Sequence, residues 1–167
     1  MVLKPEPYFR CLRKLTSERN YDSVIHYSPQ GELFNQKTAN RLSLKENYIL
    51  LCGHYKGIDQ RVIEAFVTEE VSIGEYVISC GDIAALVFMD ALLRLVPGVL
   101  GDGESAITDT FQVETEEGEA GFDHPQYTRP EDYEGYKVPE ILLSGNHAKI
   151  EKWRQEKASD NFNKQKK

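Results

Sequence analysis

Three glycine-bearing segments carry the groups best placed to hold a ligand. They are Ser28-Pro-Gln-Gly31, Gly53-His-Tyr-Lys-Gly57, and Ser72-Ile-Gly74 together with Ser79-Cys-Gly81. Each adjoins a short apolar run that reads as a strand. In open α/β sheets, ligands bind beyond the carboxyl ends of the strands. Glycine at such a turn lets a ligand approach the backbone closely. The spacing predicts one small-molecule pocket made from the three strand exits, suited to a neutral or cationic organic ligand held by backbone groups.

Other chemistries lack their residues. There is no G-x-x-x-x-G-K-S/T phosphate loop and no G-x-G-x-x-G dinucleotide turn. No G-x-S-x-G nucleophile elbow occurs. His26, His54, His124 and His147 have no i, i+4 partner and no carboxylate cluster at ligand spacing, so no metal site is expected from them. Cys11, Cys52 and Cys80 cannot all pair within one chain and form no C-x-x-C. Cys52 and Cys80 border apolar runs and read as buried, unreactive thiols.

The elements that must position these loops follow from periodicity. Tyr8, Cys11, Leu12 and Leu15 recur at helical spacing, with Pro7 in the first turn. Ser23–Ser28 is β-prone and stops at Pro29-Gln30-Gly31. Asn35 caps a helix to Leu44, and Asp59 caps one to Phe66. Asn47–Cys52 is a continuous apolar run, as suits a strand buried on both faces. Glu75–Ser79 reads as another strand. Asp82 then caps a helix over Ile83–Val96 that is apolar nearly all round, so it is expected to be buried. Asn146 caps a last helix carrying Ile150 and Trp153. Alternating strands and helices predict an α/β layer fold with a largely parallel sheet.

The chain has 167 residues, enough for one domain with a real core. No apolar run reaches the roughly 18 residues of a membrane span, and the first residues show no signal-peptide pattern, which points to the cytosol. The net charge is −7. That balance argues against a general nucleic-acid coat, which needs cations. The charge is uneven. Residues 101–140 hold 12 acidic and 2 basic groups, whereas residues 141–167 hold 7 basic and 3 acidic ones.

Longer motifs are more specific. Leu51-Cys-Gly-His-Tyr-Lys-Gly-Ile-Asp-Gln-Arg-Val62 and Glu70-Val-Ser-Ile-Gly-Glu-Tyr-Val-Ile-Ser79 resemble signatures of the bacterial tRNA (guanine-N1)-methyltransferases, the TrmD family. Arg94–Gly101, Pro125–Pro130 and Val138–His147 match as well, closing on Trp153-Arg154. The matches are colinear over about residues 20 to 155. The resemblance implies a SPOUT-type fold: a parallel sheet flanked by helices, with a C-terminal trefoil knot at the cofactor site. It implies a homodimer that transfers a methyl group from S-adenosylmethionine to N1 of the tRNA guanosine 3′-adjacent to the anticodon, position 37. Magnesium is a further expectation from the family.

Carried over by position, the cofactor loops fall on Tyr27, Ser28 and Pro29, on Gly53, on Ile73, Gly74, Glu75, Tyr76, Val77 and Ile78, and on Gly81. The general base falls on Asp109 and the catalytic arginine on Arg94. A carboxylate can take the N1 proton of guanine, and an arginine can stabilise charge that develops on O6.

Against the family pattern, the sequence starts after the usual first strand and glycine-rich loop. The expected organisation is a methyltransferase domain over residues 1–158, lacking those parts, and a disordered basic tail over 159–167. The alternative is an inactive, dimerising remnant that binds S-adenosylmethionine. Cys80 stands where the family usually has glycine, Lys56 where it often has glutamate, and Val113–Phe122 is longer and more acidic than usual.

Overall fold

A computed structural model describes residues 1–99, 110–111 and 121–165. The chain divides into two compact units, Met1–Gly101 and Asp102–Lys167.

The first unit alternates helix and strand: α1 (Pro5–Glu18), β1 (Ser23–Leu33), α2 (Gln36–Leu42), β2 (Tyr48–Leu51), α3 (Gln60–Phe66), β3 (Glu69–Ser72) and α4 (Gly81–Leu93). The three strands form a parallel sheet in the order β2-β1-β3. Successive side chains of a strand point to opposite faces, and β1 uses this directly. Val24 packs with Leu12 of α1 and with Val62 and Ile63 of α3. Ile25 packs with Ala39 and Leu42 of α2 and with Phe88 and Leu92 of α4. In β2, Ile49 and Leu51 join the first cluster while Tyr48 and Leu50 pack against the second, which explains why this strand reads as an unbroken apolar run.

The helix starts are set by local chemistry. Asn35 accepts a hydrogen bond from the Thr38 amide at 2.9 Å, and Asp59 accepts one from the Arg61 amide at 3.0 Å. In the second unit Asn146 does the same for the Lys149 amide at 3.2 Å. Each satisfies an orphan donor of the first turn.

Several expectations change. β1 does not stop at Pro29-Gln30-Gly31. Tyr27 and Glu32 both pair with Val71, so residues 28–31 form a detour, and the strand resumes to pair Leu33 with Ser72. Gly31 is required there, because a Cβ would lie 2.5 Å from the Glu70 carbonyl carbon and the Val71 nitrogen. Glu75–Ser79 is not a strand. The partner of β1 lies upstream at Glu69–Ser72, while Tyr76 and Val77 stand exposed. Pairing with the central strand overrides the β-propensity of Tyr-Val-Ile. α2 ends at Leu42 rather than Leu44. Cys11 is exposed, and Phe9 takes the inner position, packing edge-on against Phe66 with ring centroids 5.0 Å apart.

Helix α4 departs most from its reading. It starts two residues early, at Gly81 with Cys80 as N-cap, and ends at Leu93 rather than Val96. Only one face is buried, through Ala84, Ala85, Phe88 and Leu92. Ile83, Leu86, Val87, Met89 and Leu93 are exposed, Leu86 to 62%.

The second unit contains a short hairpin, β4 (Asp132–Tyr133) with β5 (Tyr136–Lys137), then α5 (Glu140–Leu143) and α6 (His147–Gln165). Trp153 of α6 faces His124 and Tyr127 at ring separations of 6.3 and 6.4 Å. α6 runs from His147 to Gln165.

Candidate functional site

The glycine-bearing segments converge. β1 carries the Ser28–Gly31 detour, β2 leads into Gly53–Gly57, and β3 leads into residues 73–80. Together they enclose a cavity of about 540 Å3 at the carboxyl end of the sheet. Because β1 lies between β2 and β3, their exits open on both sides of it, the position where open α/β sheets place ligands. Of the expected cofactor residues, Tyr27, Ser28, Pro29, Gly53, Ile73, Gly74, Tyr76, Val77, Ile78 and Gly81 all line this cavity. Glu75 does not; it is exposed.

Backbone packing holds the exits together. The Gly81 amide donates to the Gly53 carbonyl at 2.8 Å, and His54 and Cys80 form an isolated antiparallel bridge. A Cβ on Gly81 would meet the Gly53 nitrogen at 2.9 Å and the Cys52 Cα at 3.0 Å. Gly74 adopts φ +149, and a Cβ there would strike the Tyr76 ring at 2.3 Å. The Gly53–Gly57 turn carries Tyr55 at φ 60, a conformation uncommon for a residue with a side chain. The Gly57 amide closes the turn onto the His54 carbonyl at 3.0 Å.

The cavity wall is polar at chosen points. His26 Nδ1 lies 3.3 Å from Glu70 Oε2, and both residues line the cavity. Among the described residues, Tyr27 Oη is the one buried side-chain polar atom without a hydrogen-bond partner. Burial pushes its phenol well above the ordinary tyrosine range, so it remains a neutral donor. Buried polar groups are nearly always satisfied, so this hydroxyl fits a partner brought by a ligand. Behind the wall, Tyr27, Phe34 and Tyr48 surround Phe88, with ring centroids 5.9, 5.2 and 5.9 Å away.

The expected catalytic arginine lies elsewhere. Arg94 is exposed at the C-cap of α4. At 1.5 Å per residue it stands roughly 20 Å along the helix from Gly81 and the cavity. Asp109 falls outside the described residues. The sequence reading missed the Tyr27 hydroxyl as an unsatisfied group and the pairing of His26 with Glu70. It also missed a contact between His54 and Asp82, whose Nε2 and Oδ2 are 3.1 Å apart. None of these has a local sequence signal, because each pair joins distant segments.

The second unit holds another cavity, of about 890 Å3, whose walls include Arg129, His147, Glu151 and Arg154. It has no glycine-lined strand exits. Arg129, His147 and Arg154 fall within the Pro125–Pro130, Val138–His147 and Trp153-Arg154 segments singled out in the sequence.

The comparisons with known proteins agree on one family. The model described as tRNA (Guanine-1)-methyltransferase TrmD matches residues 1–167. A tRNA (guanine-N(1)-)-methyltransferase of Chlorobaculum tepidum is 57% identical over 160 residues, which is 96% of this chain and 67% of that protein. Its namesake from Flavobacterium johnsoniae is 56% identical over 158 residues, 95% of this chain and 67% of the relative. One from Bacteroides thetaiotaomicron is 52% identical over 153 residues, 92% of this chain and 65% of the relative. The chain thus spans about two thirds of the length of these relatives. With a parallel α/β sheet and a glycine-lined cavity at its carboxyl end, the chain belongs to the tRNA (guanine-1)-methyltransferase family, TrmD.

Proposed function

We propose that this protein methylates N1 of the guanosine 3′-adjacent to the anticodon, position 37, in tRNA, with S-adenosylmethionine as methyl donor. The convergence of the three strand exits on one cavity carries this reading, together with the names of relatives 51–57% identical. When bound, S-adenosylmethionine supplies the methyl group. Tyr27, Ser28 and Pro29, Gly53, Ile73, Gly74, Tyr76, Val77, Ile78 and Gly81 hold it, largely through backbone groups that the glycines leave accessible. The proposed wrapping of these loops is the family's trefoil knot.

Asp109 takes the N1 proton as general base, and Arg94 steadies charge developing on O6. Holding acceptor and methyl group in line supplies much of the rate. Magnesium does not fit the cluster of potential metal ligands among the described residues. His54, Cys80 and Asp82 offer one thiol, one imidazole and one carboxylate, whereas Mg2+ prefers oxygen ligands.

The partner of this chain is a second copy of itself. The exposed apolar face of α4, from Ile83 through Leu93, is the surface a dimer would cover. A dimer also removes the difficulty of Arg94: an arginine remote from its own chain's cavity can serve the partner's. The basic wall residues Arg129, His147 and Arg154 are the proposed contacts to tRNA phosphates. No helix among the described residues is long and apolar enough to cross a membrane, and the proposed location is the cytoplasm, with the tRNA.

Single-turnover methylation of unmodified tRNA tests the assignment, with calorimetry of S-adenosylmethionine alongside. Asp109→Asn should slow transfer by about 10²–10⁴-fold while leaving cofactor affinity unchanged. A wild-type rate removes Asp109 from the mechanism. Cofactor binding without transfer in the unmodified chain favours the inactive remnant.

A further inference from the structure

The link between the second strand exit and the start of α4 gathers a different set of groups at the cavity rim. The His54–Cys80 bridge and the Gly81-to-Gly53 hydrogen bond fix the two backbones against each other. From this frame the His54 imidazole, the Cys80 thiol and the Asp82 carboxylate project to one point. One ligand atom from each lies within 4.8 Å of the others, and His54 Nε2 is 3.1 Å from Asp82 Oδ2.

A hydrogen-bonding contact accounts for His54 and Asp82 alone and has no use for the Cys80 thiol. A metal site uses all three. Zinc takes thiolate at about 2.3 Å and imidazole or carboxylate at about 2.0–2.2 Å in a tetrahedron. Ligand atoms on such a centre stand roughly 3.2–3.8 Å apart, so side-chain rotation of about an ångström closes the site. The mixed sulfur, nitrogen and oxygen set selects Zn2+-like ions over Mg2+ or Ca2+. His54 and Asp82 are more than half exposed, at 54% and 57%, so an ion reaches them directly from solvent.

We propose that His54, Cys80 and Asp82 bind a thiophilic divalent cation of the Zn2+ class, through Nε2, Sγ and a carboxylate oxygen, with the fourth position open to water. The Cys80 proton goes to solvent as the thiolate–metal bond forms. Cys52 adjoins Asp82 but is not among the side chains whose ligand atoms lie within 4.8 Å of one another.

Co2+ titration of the whole chain, followed by absorption, tests the site. It does not depend on methyl transfer, because the readout is spectroscopic and uses the metal alone. Expected is one saturating equivalent, with a thiolate-to-cobalt charge-transfer band and intense tetrahedral d–d bands, both removed by one equivalent of Zn2+ but not by excess Mg2+. Cys80→Ser should abolish the charge-transfer band, and Cys52→Ser should leave it. His54→Ala should weaken binding at least as much as the roughly 10–100-fold that loss of a supporting partner costs. Absence of saturable binding, or a charge-transfer band that survives Cys80→Ser, overturns the proposal. Circular dichroism checks the fold of each variant. Where Cys80→Ser does not fold, Asp82→Asn decides: lost affinity supports the site and unchanged affinity overturns it.

Discussion

The Gly81 amide donates to the Gly53 carbonyl at 2.8 Å, and no side-chain atom fits between the two backbones. The cavity depends on this contact, because it joins the exit of β2 to the start of α4. Gly81→Ala places a Cβ within 3.0 Å of backbone atoms that cannot rotate away. Overpacking of this kind costs about 1–3 kcal/mol. The expected result is a lower unfolding midpoint and a loss of S-adenosylmethionine affinity of roughly tenfold or more, since 1.4 kcal/mol is a factor of ten. Denaturant unfolding and calorimetry on the same preparation check both.

Tyr27→Phe should separate stability from binding. The hydroxyl is buried without a partner, and an unsatisfied group of this kind costs about 1–3 kcal/mol. Removing it should leave the free protein as stable as before or raise its midpoint. The same change should weaken cofactor binding if a ligand group meets that hydroxyl. Equal affinity for the two proteins would show that the cofactor leaves Tyr27 Oη unused.

Glu69 sets an acid limit on stability. Burial pushes its carboxyl up, but hydrogen bonds from Lys45, Arg41 and Ser23 together outweigh this and hold it at about 2, below its ordinary 4.5. Lys45 Nζ lies 2.6 Å from one carboxylate oxygen, and Arg41 Nη1 lies 2.9 Å from the other. A depressed carboxyl stabilises the fold fully above its unfolded value. That contribution is lost as pH falls from about 4.5 through about 2. Glu69→Gln should flatten the pH dependence of the unfolding midpoint across this window. A midpoint that falls as steeply in the variant would place the acid sensitivity elsewhere.

Phe88→Ala removes the ring on which Tyr27, Phe34 and Tyr48 converge. It is 1% exposed, and such truncations cost about 3–5 kcal/mol. Chemical denaturation should show a loss in that range. Because Tyr27 also lines the cavity, cofactor affinity should fall as well.

Much of this architecture was legible because it rests on local chemistry. Asn35, Asp59 and Asn146 announce helix starts by side chains that reach their own first turns. The glycines at 31, 53, 74 and 81 mark places where two chain segments touch or a turn is tight. What was hidden depends on distant partners. Tyr76-Val77-Ile78 has the composition of a strand, but β1 pairs with Glu69–Ser72 instead. α4 reads as a fully buried helix, yet Ile83, Leu86, Val87, Met89 and Leu93 on it are exposed. The His54–Cys80–Asp82 group escaped because its members come from two strand exits and the first turn of α4, with no spacing rule to connect them.

The detour in β1 separates two properties that usually travel together in a strand. Tyr27 and Glu32 share one partner in Val71, and pairing resumes with Leu33 opposite Ser72. The sheet therefore counts residues only up to Tyr27 and again from Glu32. The length and composition of the stretch between them are free of the hydrogen-bond ladder, apart from the need for glycine at position 31. Cavity shape can thus be rewritten there, by insertion or exchange, without shifting a single strand pair. The detour is a natural point at which to graft a different ligand preference onto an unchanged core.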